Sequence, residues 1–212
     1  MKKTGFSLIN IFATPIGAFQ DVLDVDDLNK LRSLAETAEY GFLGGKKKQN
    51  NVTTDDRISK DIRILDQLPK LKEDLENLVT DYLYGLRSII DTKFEIGTSW
   101  FTKIVKDEGS AIHSHDNYFY SGVIYLFDSD YSKIEFHLPH KRDNYSFDEE
   151  TDTPFNCDVF GLKPQNNLMI LFPSNLRHSV AKNTTDGVRY SLAFNVKPVG
   201  TYGYGDSTAF PD

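Results

Sequence analysis

From residue 93 onward the chain is a succession of short β-branched and aromatic runs. They fall at 94–105, 118–127, 132–138, 157–162, 167–172, 178–181 and 188–197, with turn residues between them. Runs of this length and composition read as strands. Seven or eight short strands at such spacing imply a sandwich or a jelly roll. Aromatic residues make up 13% of the chain, and rings in that number suit β-structure better than a helix bundle. The first part of the chain reads differently. Asp24-Val-Asp-Asp27 precedes Leu28, Leu31, Leu34 and Ala35. Apolar spacings of three and four behind an acidic first turn predict a helix, which Gly41 is expected to end. A second helix is expected over 69–90, with Leu71, Leu75, Leu78, Val79, Tyr82, Leu83 and Leu86 as its stripe and Gly85 weakening its end. Helices first and strands later predict an α+β, mainly β fold, with the helices packed on one face of an antiparallel sheet system. One domain over 1–212 is expected: 1–92 as mostly helical support, 93–198 as the jelly-roll core and 199–212 as a tail.

A chain of 212 residues is enough for one sizeable core and hardly enough for two. Its 24 Lys+Arg against 31 Asp+Glu give a net charge of −7. That lacks the electrostatic footprint of a general nucleic-acid binder. The single cysteine, Cys157, excludes an intramolecular disulfide framework and a thiolate zinc cluster. The apolar runs are too short to span a bilayer. Lys2 and Lys3 followed by Phe6-Ser-Leu-Ile-Asn-Ile-Phe-Ala13 faintly mimic a signal peptide, but Ser7 and Asn10 interrupt the run. It reads as a first strand, and the protein as cytoplasmic. Residues 44–60 read as a polar, mobile loop, and 139–156 as a long polar insertion, functional or disordered. Lys46 to Lys48 read as a solvated patch. Neither a Gly-rich phosphate loop nor a dinucleotide fingerprint occurs.

The chemistry concentrates in few residues. The five histidines are His113, His115, His137, His140 and His178. In extended chain, residues i and i+2 point to one side, so His113 and His115 would converge on a borderline metal ion. His178 follows the turn Phe172-Pro-Ser174 and is expected at the start of a strand. Arg189 and Ser191 share one face of the apolar run Val188 to Asn195. An Arg in such a place is costly unless it meets an anion, and a bound carboxylate would satisfy it. His137 and His140 receive no role. Trp100 is expected in the core; Tyr118, Phe119 and Tyr120 are candidates for the lining of a substrate pocket, with packing the favoured reading.

His-x-His, a gap of about 60 residues, a His and then Arg-x-Ser resemble the Fe(II)- and 2-oxoglutarate-dependent oxygenases. More narrowly, the chain resembles a family of such oxygenases common in marine bacteria and their phages. The resemblance rests on Ile11-Phe-Ala-Thr-Pro-Ile16, Ser99-Trp100, His113 with His115, and Ser121 to Leu126. It extends through Phe172-Pro-Ser174, His178-Ser-Val180 and Arg189 to Asn195, and so covers nearly the whole chain. It implies that the jelly roll is a cupin-like double-stranded β-helix. It implies Fe(II) and 2-oxoglutarate as cofactors, and hydroxylation of an unactivated C–H with release of succinate and CO2. His113, His115 and His178 would be the metal ligands. Arg189 and Ser191 would hold the distal carboxylate of 2-oxoglutarate, with Tyr125 or Tyr120 adding a phenol. Most such oxygenases carry two His and one carboxylate, whereas His115 stands at the carboxylate position here. A bulge that turns Asp116 inward, or a set in which His113 stands behind His115, are the alternatives. Related prolyl hydroxylases suggest peptidyl proline as a substrate by analogy.

Two other functions compete. A cupin-type metal enzyme would use three His without a 2-oxo acid. Its usual Glu after His-x-His is missing between Asp116 and Val123. A non-catalytic jelly-roll module is the third reading. The expected partners are 2-oxoglutarate, O2 and an unidentified substrate, with no nucleic acid and no membrane, in a monomer or homodimer.

Overall fold

A computed structural model describes residues 13–42, 57–129, 131–139, 148, 150, 151 and 153–209. Helix α1 is Val25–Thr37. Asp24 caps it by accepting a hydrogen bond from the Asp27 N–H at 2.8 Å, and Asp26 and Asp27 fill the first turn. The helix stops at Thr37 because Ala38 turns extended, with φ −63° and ψ 147°. Gly41 therefore does not end the helix; it lies in strand β2, Tyr40–Phe42. Helix α2 is Pro69–Arg87, opened by a proline in its first turn and closed by Ser88 in the left-handed region. Leu71, Leu75, Val79 and Leu83 are its buried face. Each such side chain contributes about 1.5–3 kcal/mol. Leu86 is 38% exposed and leaves the expected stripe, and the helix runs through Gly85 but stops short of residue 90.

The remaining strands are β1 (Gly17–Phe19), β3 (Arg57–Ser59), β4 (Lys93–Ile104), β5 (Ser110–His113), β6 (Tyr120–Tyr125), β7 (Ile134–His137), β8 (Val159–Leu162), β9 (Met169–Pro173), β10 (His178–Val180) and β11 (Arg189–Val199). They form two antiparallel sheets, ordered β1-β9-β6-β11-β4-β3-β2 and β5-β10-β7-β8. Strands β4 to β11 give four strands to each sheet, which is the expected jelly roll. The expected runs from 94 to 197 each coincide with one of these strands to within two residues at the ends the strand overruns. β5 is an additional short strand that the composition did not separate, and β1 to β3 widen the larger sheet. The expected strand over 6–13 lies almost entirely outside the described residues, as do most of the 44–60 and 139–156 segments and His140. Of the first loop, 57–59 is strand β3. The tail makes a short 3-10 turn, Gly205–Ser207, inside a bridge between Tyr202 and Ala209. Among the described residues no helix is long and apolar enough to cross a membrane.

Strand alternation sorts the core into two layers. Ile124, Leu126, Leu192, Phe194 and Val196 face α1 and α2, together with Leu31, Val79 and Leu83. Val123, Tyr125, Ile170 and Phe172 face the other sheet, with Ile134 and Phe136. The helices thus cover one face of the larger sheet and leave its other face to the space between the sheets. At Gly122 a Cβ would collide with the Phe194 ring, so the ring crosses β6 only because that residue lacks a side chain.

Candidate metal centre

Pairing across β5 and β10 sets His178 directly opposite His113, and His178 also pairs with Phe136 of β7. The β5–β10 register shifts immediately beyond this pair, between His178 and Val180. Such irregularities re-aim side chains at the ends of ladders. His115 stands two residues past the end of β5. Its N–H donates to the Ser174 carbonyl at 2.9 Å. The three imidazoles offer ligand atoms that all lie within 4.8 Å of one another. Asp116 is exposed in the following turn and outside this group, so no bulge brings it inward.

Two of the rings are locked in one tautomer. His113 Nδ1 donates to the Ala111 carbonyl at 2.8 Å, and His178 Nδ1 donates to the Leu176 carbonyl at 2.9 Å. Each bond leaves the Nε2 lone pair free for a metal ion. Burial holds the rings in this uncharged form. It lowers the His113 pKa, brings His115 to about 4 and brings His178 to about 3, with the neighbouring His113 adding to the last two. Without metal, the unfolded chain binds protons on these rings near pH 6.5, while in the folded chain His115 does so only near pH 4 and His178 near pH 3, with His113 shifted in the same direction. Stability is therefore greatest above pH 6.5 and falls progressively as the pH drops toward the folded values. The Tm of the metal-free protein is expected to drop between pH 7.5 and pH 5; a flat profile in thermal unfolding would contradict the buried neutral triad.

A polar chain supports the site from the larger sheet. Ser121 Oγ donates to Asn195 Oδ1 at 2.8 Å and lies 2.8 Å from Ser174 Oγ, while Asn195 Nδ2 donates to Thr98 Oγ1 at 3.3 Å. Ser121, Ser174 and Asn195 are buried, and Ser174 accepts from the His115 N–H. The sequence singled out none of these three as supports, because the contacts span 53 and 74 residues.

Arg189 and Ser191 lie on the site face of β11, as expected, and line the same cavity of about 400 Å³ as the triad. Arg189 is only 3% exposed, and its Nε and Nη1 find no hydrogen-bond partner. Its guanidinium sits 5.0 Å above the ring of Tyr125. The Tyr125 hydroxyl is buried and makes no hydrogen bond of good geometry; burial raises its pKa, while the charge and N–H groups of the nearby Arg189 oppose that shift. Tyr125 stays beneath the guanidinium and does not line the cavity. Tyr120 belongs to the opposite face of β6, packed edge-on to Tyr82.

Trp100 corrects the core expectation. It is half-buried, lines the cavity and lies against His115. β4 places it on the site face between Thr98 and Thr102, because its cross-strand partner Ala193 belongs to the site face of β11. Tyr118, Phe119 and Tyr120 stay out of the cavity. His137 Nε2 lies 2.8 Å from Ser179 Oγ, outside the triad.

Residues 98–195 match the family model described as "Putative 2OG-Fe(II) oxygenase". That stretch contains the triad, Arg189 and Ser191. No curated protein sequence matches the chain. Several solved structures share the fold at low identity. An oxidoreductase of the 2OG-Fe(II) oxygenase family from Burkholderia pseudomallei superposes with a TM-score of 0.61 at 16% identity, over 86% of this chain and 84% of that one. A Pseudomonas putida prolyl-4-hydroxylase gives 0.59 at 15% identity, over 87% and 93%. HygX from Streptomyces hygroscopicus, solved with nickel and 2-oxoglutarate bound, gives 0.56 at 15%, over 87% and 83%. The part of the chain that bears the triad thus matches the 2OG-Fe(II) oxygenases, a family of oxidoreductases, and the fold around it is the fold of those enzymes.

Proposed function

We propose that the protein is an Fe(II)- and 2-oxoglutarate-dependent oxygenase that hydroxylates an unactivated C–H of its substrate. His113, His115 and His178 would hold the metal, and Arg189 with Ser191 and Tyr125 would hold the 2-oxo acid. The observation that carries this reading is Arg189: a buried guanidinium with two unpartnered nitrogens, in the same cavity as three neutral imidazoles. A metal-only enzyme of cupin type has no use for such a cation. A dicarboxylate would engage the cation and the imidazoles that line this one cavity.

When bound, the iron and its 2-oxo acid supply the oxidising power, with succinate and CO2 released. The chain's own residues orient and shield. The Ala111 and Leu176 carbonyls fix two ligand rings before any metal arrives. Arg189 can pair with a carboxylate through two N–H groups, and Ser191 adds a hydroxyl from two residues along the strand. Burial favours the protonated phenol of Tyr125, which lies beneath the guanidinium and would help to hold the 2-oxo acid by positioning Arg189. Three neutral ligands leave the metal's charge to be offset by the anionic co-substrate. Ile58, Ile62, Trp100 and Val180 give the cavity apolar walls, which strengthen each charge interaction inside.

The whole chain acts as one oxygenase domain in the cytoplasm, with O2 and 2-oxoglutarate as partners. The Pseudomonas putida relative is a prolyl-4-hydroxylase, which makes a prolyl peptide the first substrate class to offer. The test supplies purified protein with Fe(II), 2-oxoglutarate and air, with and without proline-rich peptides, and measures succinate. The expected result is iron-dependent succinate formation, stimulated by a substrate. A protein that binds iron yet forms no succinate under any condition would contradict the proposal.

A further inference from the structure

We propose that Trp100 is a positioning residue that holds the third metal ligand, His115. The inference rests on the metal reading above and asks what keeps the site preformed. His113 and His178 each have two restraints: a place in a paired strand, and an Nδ1–H bonded to the carbonyl two residues earlier. His115 has neither. It lies beyond the end of β5, and its imidazole makes no hydrogen bond to any described residue. The bond from its N–H to the Ser174 carbonyl fixes its backbone and leaves its side-chain torsions free.

What the imidazole does touch is rings. It lies 5.1 Å from each of the other two imidazoles and 5.7 Å from the indole of Trp100, tilted by 59°. The first two contacts are with the other ligands, which a metal ion would draw together. Of these ring contacts, the indole is the one that belongs to the scaffold. It rises from the long strand β4, opposite Ala193, whose small side chain leaves room for the indole above it. A Trp side chain has only two torsions and a large flat face. Lying against His115, it limits the ring to orientations facing His113 and His178. Outer groups of this kind that orient a ligand typically change metal affinity by about tenfold to a hundredfold.

The test uses the full chain and Co(II) alone as probe. It compares wild type with Trp100→Leu and Trp100→Phe by calorimetric titration and by the visible spectrum of the Co(II)-loaded protein. Trp100→Leu is expected to weaken Co(II) binding about tenfold to a hundredfold and to alter the spectrum. Trp100→Phe, which keeps a flat ring, is expected to stay within about threefold of wild type. A Trp100→Leu protein with a lower Tm but wild-type Co(II) affinity and spectrum would overturn the proposal, because a packing role alone predicts that pattern. If that variant does not fold, wild type decides. Trp100 is the sole tryptophan, so its emission must change on Co(II) addition and saturate with the calorimetric constant. Emission indifferent to bound Co(II) would overturn the proposal. Wild type that binds no Co(II) sinks the metal reading and this inference together; wild-type binding shared in full by Trp100→Leu sinks this inference alone.

Discussion

Replacing Arg189 by Met is expected to abolish 2-oxoglutarate binding, leave metal binding nearly unchanged and make the ligand-free protein more stable. Charge-assisted hydrogen bonds contribute about 1.5–3 kcal/mol each, so losing a two-bond pair weakens binding by at least about a hundredfold. The metal ligands lie on other strands and keep their own anchors. The stability gain comes from the cost that Arg189 imposes. Its guanidinium is 3% exposed, two of its nitrogens are unpartnered, and its visible compensation is the Tyr125 ring. Replacing buried charge by an apolar side chain of similar volume often stabilises by about 1–4 kcal/mol. The flexible Met side chain fills the space of the Arg stem. Calorimetric binding of 2-oxoglutarate to the metal-loaded variant, with thermal unfolding of the metal-free form, checks both halves. A variant that still binds 2-oxoglutarate, or one that unfolds at much lower temperature, would mean that Arg189 serves the fold and not a ligand.

His178→Ala is expected to remove metal binding by more than about a hundredfold, because it deletes one of three ligands, and the most buried of them. It also opens a gap between Phe136 and Phe172, whose rings lie 6.4 Å and 4.8 Å from the imidazole. A cavity of that kind lowers stability, by about 1–3 kcal/mol for a side chain of this size. The control is His137→Ala. That imidazole bonds to Ser179 on the neighbouring strand and stands outside the triad, so its loss should leave Ni(II) or Co(II) affinity unchanged. Equal losses in the two variants would show that the effect is unfolding and not ligand removal.

What could be read from the sequence was what depends on local period. The strands from β4 to β11, β5 excepted, announced themselves by short apolar runs, and the buried stripe of α2 by its spacing. The same alternation put Arg189 and Ser191 on one face and His113 and His115 on one side. Features set by pairing at long range stayed hidden. Tyr40 to Phe42 became a strand because β3 pairs with it, which no local signal at Gly41 shows. The choice between Tyr125 and Tyr120 turned on which face of β6 meets the helices. Ser121, Ser174 and Asn195 look like ordinary strand and turn residues until three strands bring them together under His115. Trp100 read as core because tryptophan is usually buried; its register opposite Ala193 is what turns it to the cavity.

Whether the site takes iron and 2-oxoglutarate together is decided by an anaerobic titration of the metal-free protein, first with Fe(II) and then with 2-oxoglutarate, followed by visible absorption. A 2-oxo acid that chelates the iron gives a charge-transfer band. A saturable band is expected in wild type and is lost in both His178→Ala and Arg189→Met, with Fe(II) still bound in the latter. Fe(II) binding without any band on addition of 2-oxoglutarate would contradict the proposed function.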